Sequence, residues 1–176
     1  MMLNSSEAIS KTAETALKLI RSAFANRETP TEITDSNQLS DSEYQEVISF
    51  EGLQWQDVSV ALVEQAPDSV FWFSPEAFCY YLPGVLSAGI STGRSDLLYS
   101  DALIGCLDRS PELDYWDDFF YPRFTLLSAE EINAVSAWAR WMALVEPEAY
   151  LEFTYQRVQG TLDLLRQRAI GMASSK

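Results

Sequence analysis

Apolar residues recur along this chain at steps of three and four, and the apolar/polar alternation of half-buried strands is nearly absent. Ile9, Ala13, Ala16, Leu17, Ile20 and Phe24 predict a first amphipathic helix of about five turns. Asn26 to Gln38 is polar and contains Pro30, and reads as a loop. In Leu39-Ser-Asp-Ser-Glu-Tyr44, Ser40 is placed as N-cap and Glu43 at N3, a capping box, with Leu39 and Tyr44 spaced for a hydrophobic staple. That helix should end near Gly52, and another should cover Asp57 to Gln65. Phe71-Trp72-Phe73 reads as extended or as the end of a turn. Ser74-Pro75-Glu76 opens a helix, with serine as N-cap, proline at N1 and an acid at the positive helix end. Pro83 should kink or stop it, Gly89 and Gly93 should bracket a loop, and Ser95 should cap a helix running to Leu107. Asp108 to Pro122 reads as irregular. Ser128 and Glu131 form a second capping box, stapled by Leu127 and Ile132, for a helix to Val145; Glu146-Pro147 opens a last helix from Glu148 to Ile170.

The expected fold is all-α, one compact domain of about six to eight helices. Its parts are an N-terminal helix over residues 1–26, an acidic linker or loop over 27–39 and a helical core over 40–171. With 176 residues and 47% hydrophobic content, the chain can build such a core without disulfides or metals. No run of eighteen apolar residues and no secretory n-region are present, and the two cysteines, Cys79 and Cys106, lie in apolar helical patterns as free thiols. A cytoplasmic location follows as an expectation.

Phe71 to Val85 holds six aromatic residues in fifteen. Phe71, Phe73, Phe78, Tyr81, Leu82, Val85 and Leu86 fit one inward face, whereas Trp72 and Tyr80 fall off it and are candidates for a groove or partner surface. A cofactor box would add convergent polar groups, and Glu76 alone is nearby, so the stretch reads as core and no cofactor is expected. The run Phe-Trp-Phe-Ser-Pro-Glu-Ala-Phe-Cys-Tyr-Tyr-Leu-Pro, residues 71–83, resembles a motif of an uncharacterised bacterial family, domain of unknown function 6714. The family pattern is aromatic-x-[Ser/Thr]-Pro-Glu-Ala-Phe-x-Tyr-Tyr-Leu-Pro, followed by a Phe-x-x-Leu-[Ser/Thr] helix start that Phe124 to Ser128 matches. The resemblance spans Trp55 to Ala143; it implies a small helical protein and brings no activity and no catalytic residues.

Charge changes the picture. The net charge is −14, and from Glu28 to Gly93 there are eleven acids and no base. Solvated helices usually mix signs, so this span forgoes stabilising i,i+4 pairs and repels itself. It reads either as a solvated face or as a binding face for a cationic protein, with nucleic acid and anionic membranes disfavoured as partners. Asp41, Glu43 and Glu46 are the leading residues of such a face. A second candidate is Glu112 to Pro122, where Asp114, Asp117 and Asp118 sit among Tyr115, Trp116, Phe119 and Phe120. Aromatic anchors beside acids suit an arginine-rich surface. The alternatives are a loop docked by its aromatics, or a hard-cation site, although the EF-hand spacing and its glycine are missing.

The chain contains no histidine, which removes imidazole acid/base chemistry, histidine-assisted nucleophiles and histidine-ligated metals. There is no P-loop, no G-x-G-x-x-G and no C-x-x-C. The expectation is a non-enzymatic, acidic cytoplasmic protein that binds and neutralises a basic protein. Its concrete form is an immunity protein blocking a bacterial toxin cleft that handles an anionic substrate. The competing expectations are a carboxylate-based hydrolase, either metal-free or metal-assisted through Asp114, Asp117 and Asp118, and a structural helical domain without catalysis.

Overall fold

Helix α5, Pro75–Thr92, runs through the middle of the molecule and is buried on every side from Ala77 to Leu86. A helix that is apolar all round has no solvent face, and the other elements are arranged around it. The computed structural model describes residues 5–174; residues 1–4 of the expected N-terminal helix and the last two of the chain lie outside the described residues. Among the described residues there are nine α-helices, two 3-10 turns and no strand, so the fold is all-α. The remaining helices are α1 (Ser5–Ala23), α2 (Asp41–Ile48), α3 (Val60–Gln65), α4 (Ser69–Trp72), α6 (Leu98–Leu107), α7 (Phe120–Phe124), α8 (Ala129–Val145) and α9 (Thr154–Ala173). α1 lies along α8 and touches α5; α8 also packs on α9; α3, α7 and the 3-10 turn Trp55–Asp57 pack against α5; α4 bridges α2 and α6. One contiguous apolar cluster joins all of them. Among the described residues no helix is long and apolar enough to cross a membrane.

The local caps form as their residues dictate. Ser40 and Ser128 each close a capping box with Glu43 and Glu131, and the Ser74 hydroxyl accepts the Ala77 N–H at 3.1 Å. Leu127 and Ile132 are buried as a staple requires, whereas Tyr44 is exposed and makes none. The loop over 27–39 is tied down where it passes α5: the Ser74 N–H donates to the Ile33 carbonyl at 2.9 Å and its hydroxyl to the Glu32 carbonyl at 2.7 Å.

Five expectations change. Pro83 lies inside α5 without ending it, because burial of the whole helix outweighs the N–H that proline withholds from the Cys79 carbonyl. Gly89 is helical too, and α5 stops at Gly93, whose φ of 66° is the left-handed conformation glycine adopts freely. Ser95 does not cap α6; its hydroxyl donates to Glu146 Oε1 at 2.8 Å and the helix begins at Leu98. Phe71 and Trp72, expected to be extended or the end of a turn, and Phe120 to Pro122, expected to be irregular, lie in the short helices α4 and α7. Tyr80 and Trp72 do not line an outward groove: Tyr80 is buried with its hydroxyl on Gln54 Oε1 at 3.2 Å, and Trp72 is half-buried, while Phe71 is the exposed aromatic of the motif.

Two contacts at the centre set tolerances. A Cβ at Gly84 would stand 2.2 Å from the Trp55 carbonyl oxygen and 2.8 Å from the Val58 side chain, so only glycine lets the 3-10 turn press on α5. Arg123, buried in α7, donates from Nη2 to the Phe73 carbonyl at 2.6 Å and from Nη1 to the Phe119 carbonyl at 3.1 Å, with its guanidinium 4.4 Å above the Phe119 ring. The Cys79 thiol donates to the Arg123 carbonyl at 3.2 Å. Cys79 and Cys106 are free and buried, and burial pushes their thiols up to about 12 and about 11.

Gly84→Ala should lower stability by about 1–3 kcal/mol in chemical denaturation through overpacking. Gly105→Ala, in α6 with open space around it, should instead raise stability by about 0.5–1 kcal/mol. Arg123→Met, which keeps bulk and removes both donors, should cost about 3 kcal/mol, since two buried carbonyls lose charge-assisted bonds.

A candidate interaction surface around the short helix α4

The two acidic clusters singled out by sequence meet the same short helix. On one side α2 packs against α4, and Glu46 Oε2 accepts the Asp68 N–H at 2.9 Å just before α4 begins. On the other side Phe71 of α4 packs at a tilt of 48° against Phe119 with ring centroids 5.7 Å apart, next to the loop that carries Asp114 to Asp118. α4 is a single turn, so the clusters flank one small element.

Within that frame the eight candidates divide into three groups. Asp41, Asp114, Tyr115 and Asp118 are exposed, Tyr115 at 66%, and among the described residues their side chains make no hydrogen bond or ion pair. Glu43, Glu46 and Asp117 are engaged by the fold. Glu43 accepts the Ser40 N–H at 2.7 Å, and that bond, with the Ser40 hydroxyl, holds its carboxyl below the usual range. Burial raises the Glu46 carboxyl, and the Asp68 N–H only partly offsets this. Asp117 Oδ1 accepts the N–H groups of Phe119 at 3.1 Å and Phe120 at 2.8 Å, while Oδ2 takes Arg109 Nη1 at 2.8 Å. Burial alone would raise the Asp117 carboxyl; the bonds from the Phe120 N–H and Arg109 outweigh it and the shift is downward. The third group is Trp116 alone. It is 7% exposed, packs edge-on against Phe120 at 5.0 Å, and belongs to the core rather than to a partner surface.

The metal-assisted form of the hydrolase reading requires Asp114, Asp117 and Asp118 as an open ligand set. Both oxygens of Asp117 are taken up by α7 and Arg109, and among the described residues no group of three acidic, cysteine or histidine side chains is placed to hold a metal ion. Carboxylates do converge elsewhere, in a cleft of about 560 Å³ lined by Glu28, Glu76 and Glu131 with Arg27. Its one buried acid is Glu131, whose carboxyl is raised by burial. Glu131 Oε2 is occupied by the Ser128 N–H at 2.8 Å and Arg27 Nη2 at 2.9 Å. Arg27 also donates to the Leu126 carbonyl at 3.1 Å, so this group ties the end of α1 to the start of α8.

Sequence reasoning missed two residues of the surface. Tyr44 on α2 and Phe71 on α4 are exposed aromatics set among the acids. Tyr44 was hidden by its staple spacing and Phe71 by its place in a core-like motif. No family model, no curated protein and no solved structure matches this chain.

Asp117→Ala should destabilise the protein by about 1 kcal/mol at neutral pH, the usual cost of losing a carboxylate that caps a helix start. A carboxyl held low in the folded state stabilises above the ordinary Asp pKa of about 3.9 and loses that contribution as pH falls through its folded value. Urea unfolding at successive pH values should therefore show the gap between Asp117→Ala and wild type closing in acid.

Proposed function

We propose that this protein is an acidic interaction protein that binds a basic protein and neutralises it. In its concrete form it is an immunity protein, working in the cytoplasm of a bacterium against a toxin whose cleft handles an anionic substrate. One observation carries the reading. Of the eleven acids between Glu28 and Gly93, only Glu64 forms an ion pair among the described residues, with Arg94 at 2.8 Å. Nine of the eleven are exposed. The fold therefore maintains a negative surface that its own bases do not answer, and that self-repulsion is relieved when a cationic partner docks. Asp41, Asp114 and Asp118 supply charge; Tyr44, Phe71 and Tyr115 supply the aromatic anchors that such interfaces concentrate. Glu43, Glu46 and Asp117 hold the elements that present them.

The test is capture from native lysate at low and high salt, then binding kinetics with the purified partner. A basic protein recovered at near-equal amount is expected. Its association rate should fall with ionic strength, and Asp41→Asn/Asp114→Asn/Asp118→Asn should slow association about tenfold with the thermal midpoint unchanged. A partner bound equally well by that triple variant and insensitive to salt would overturn the reading.

A further inference from the structure

Residues 146–153, expected to be the first turns of the last helix, instead form a strap laid along α6. The Ser95 hydroxyl donates to Glu146 Oε1 at 2.8 Å, the Tyr150 hydroxyl donates to Asp101, and the Thr154 hydroxyl donates to Asp108 Oδ2 at 3.2 Å. The Tyr155 hydroxyl closes the strap by donating to the Glu146 carbonyl at 2.9 Å, and the Tyr150 and Tyr155 rings meet edge-on at 5.5 Å. Three contacts in register, 95 with 146, 101 with 150 and 108 with 154, hold it in place.

What the strap leaves outside is apolar. Leu151 is 83% exposed and Phe153 is 56% exposed, and Leu98, on the first turn of α6 between Ser95 and Asp101, is 67% exposed. Phe153 has φ of 69° and is the one non-glycine residue with positive φ among the described residues. A bulky residue in the left-handed region is strained, and here burial does not offset the strain. Glu148 and Glu152 flank these side chains, both exposed, and among the described residues their carboxylates form no ion pair; Arg157 reaches Glu152 only at its backbone carbonyl, from Nη1 at 3.3 Å. The nearby Arg157 is occupied by Asp108, Nη2 to Oδ2 at 2.9 Å. The patch is an apolar centre with an uncompensated acidic rim.

We infer that the strap is a docking surface for a basic amphipathic segment of a partner protein, with apolar side chains on Leu98, Leu151 and Phe153 and lysine or arginine facing Glu148 and Glu152. The rim selects this occupant: a second copy would set the same acids against each other in a chain of net charge −14, and an anionic lipid surface would be repelled. The inference rests on the reading that the partner is basic, and adds a second, apolar point of attachment.

The experiment uses the full chain and a fluorescein-labelled Leu/Lys amphipathic peptide of about five helical turns, with a Ser/Lys peptide of equal charge as control, read by fluorescence anisotropy. The Leu/Lys peptide should bind more tightly than the control. Leu151→Ser/Phe153→Gly should weaken it by about tenfold or more, as loss of two anchors does. Glu148→Gln/Glu152→Gln should weaken it about threefold and flatten its salt dependence. Asp41→Asn/Asp114→Asn/Asp118→Asn should leave the difference between the two peptides unchanged. Phe153→Gly should unfold at or above the wild-type temperature, since it releases the strained φ; a marked fall would place Phe153 in service of the fold and overturn the proposal. Equal binding of both peptides, or binding lost only in the Asp41/Asp114/Asp118 variant, overturns the strap while leaving the acidic surface standing. A dimer in sedimentation velocity, or binding to neutral phosphatidylcholine vesicles, either one abolished by Leu151→Ser, would assign the patch to a second copy or to lipid and likewise overturn it.

Discussion

The placement of α4, α5 and α7 depends on one buried cation. Arg123 makes no ion pair among the described residues; its charge is met by the carbonyls of Phe73 and Phe119 and by the face of the Phe119 ring. Phe73 is the residue between α4 and the Ser74 cap of α5, so the guanidinium fixes the joint between those helices. Burial lowers the Arg123 pKa, and Asp35 in the loop before α2 works against that. Removing a charge from water costs several kcal/mol unless hydrogen bonds replace the lost hydration. Here two well-placed carbonyls do so for Nη1 and Nη2 within a net negative molecule, while Nε is buried without a partner among the described residues. Because α4 is also the element that α2 and the Asp117 loop both touch, the geometry of the acidic surface is inherited from this interior contact.

The arginines are largely spent inside the fold. Arg27 joins α1 to Glu131 of α8, Arg94 holds Glu64 and Asp96, Arg109 holds Asp117, and Arg157 holds Asp108. Arg27 and Arg94 tie segments before α5 to segments after it, and Arg109 and Arg157 join segments that follow it. The stretch from Glu28 to Gly93 provides no cation of its own; apart from Glu64 on Arg94 and the backbone-bonded Glu43 and Glu46, its acids are left to solvent or to another molecule. Engaged and open acids alternate closely: Asp117 anchors a loop while its neighbour Asp118 stays exposed. The surface charge is thus carried on a scaffold held together by charges of the same kind.

Signals confined to a few residues were legible in the sequence. Ser40, Ser74 and Ser128 announced helix starts because the side chain that caps and the N–H it satisfies lie three residues apart. Tertiary effects were not legible. Pro83 passes through a helix because the surroundings enclose it, Ser95 turns to Glu146 instead of capping, and α9 starts at Thr154 because residues 146–153 are drawn onto α6. At the candidate surface, sequence singled out the acids without distinguishing their tasks. Nothing local marks Glu46 as the acceptor of an N–H twenty-two residues away, or separates buried Trp116 from exposed Tyr115. Arg123 was the least visible of all, a single base within an aromatic run.

The two free thiols give the interior a clock. Thiolate is the form that alkylating reagents attack, and burial keeps Cys79 and Cys106 protonated and out of reach. Cys79 faces α7 through its bond to the Arg123 carbonyl, and Cys106 lies in α6. Each becomes reactive only when its own layer of helices parts. The ratio of their modification rates in the native protein would therefore report whether the α5–α7 interior and α6 open as one cooperative unit or as two.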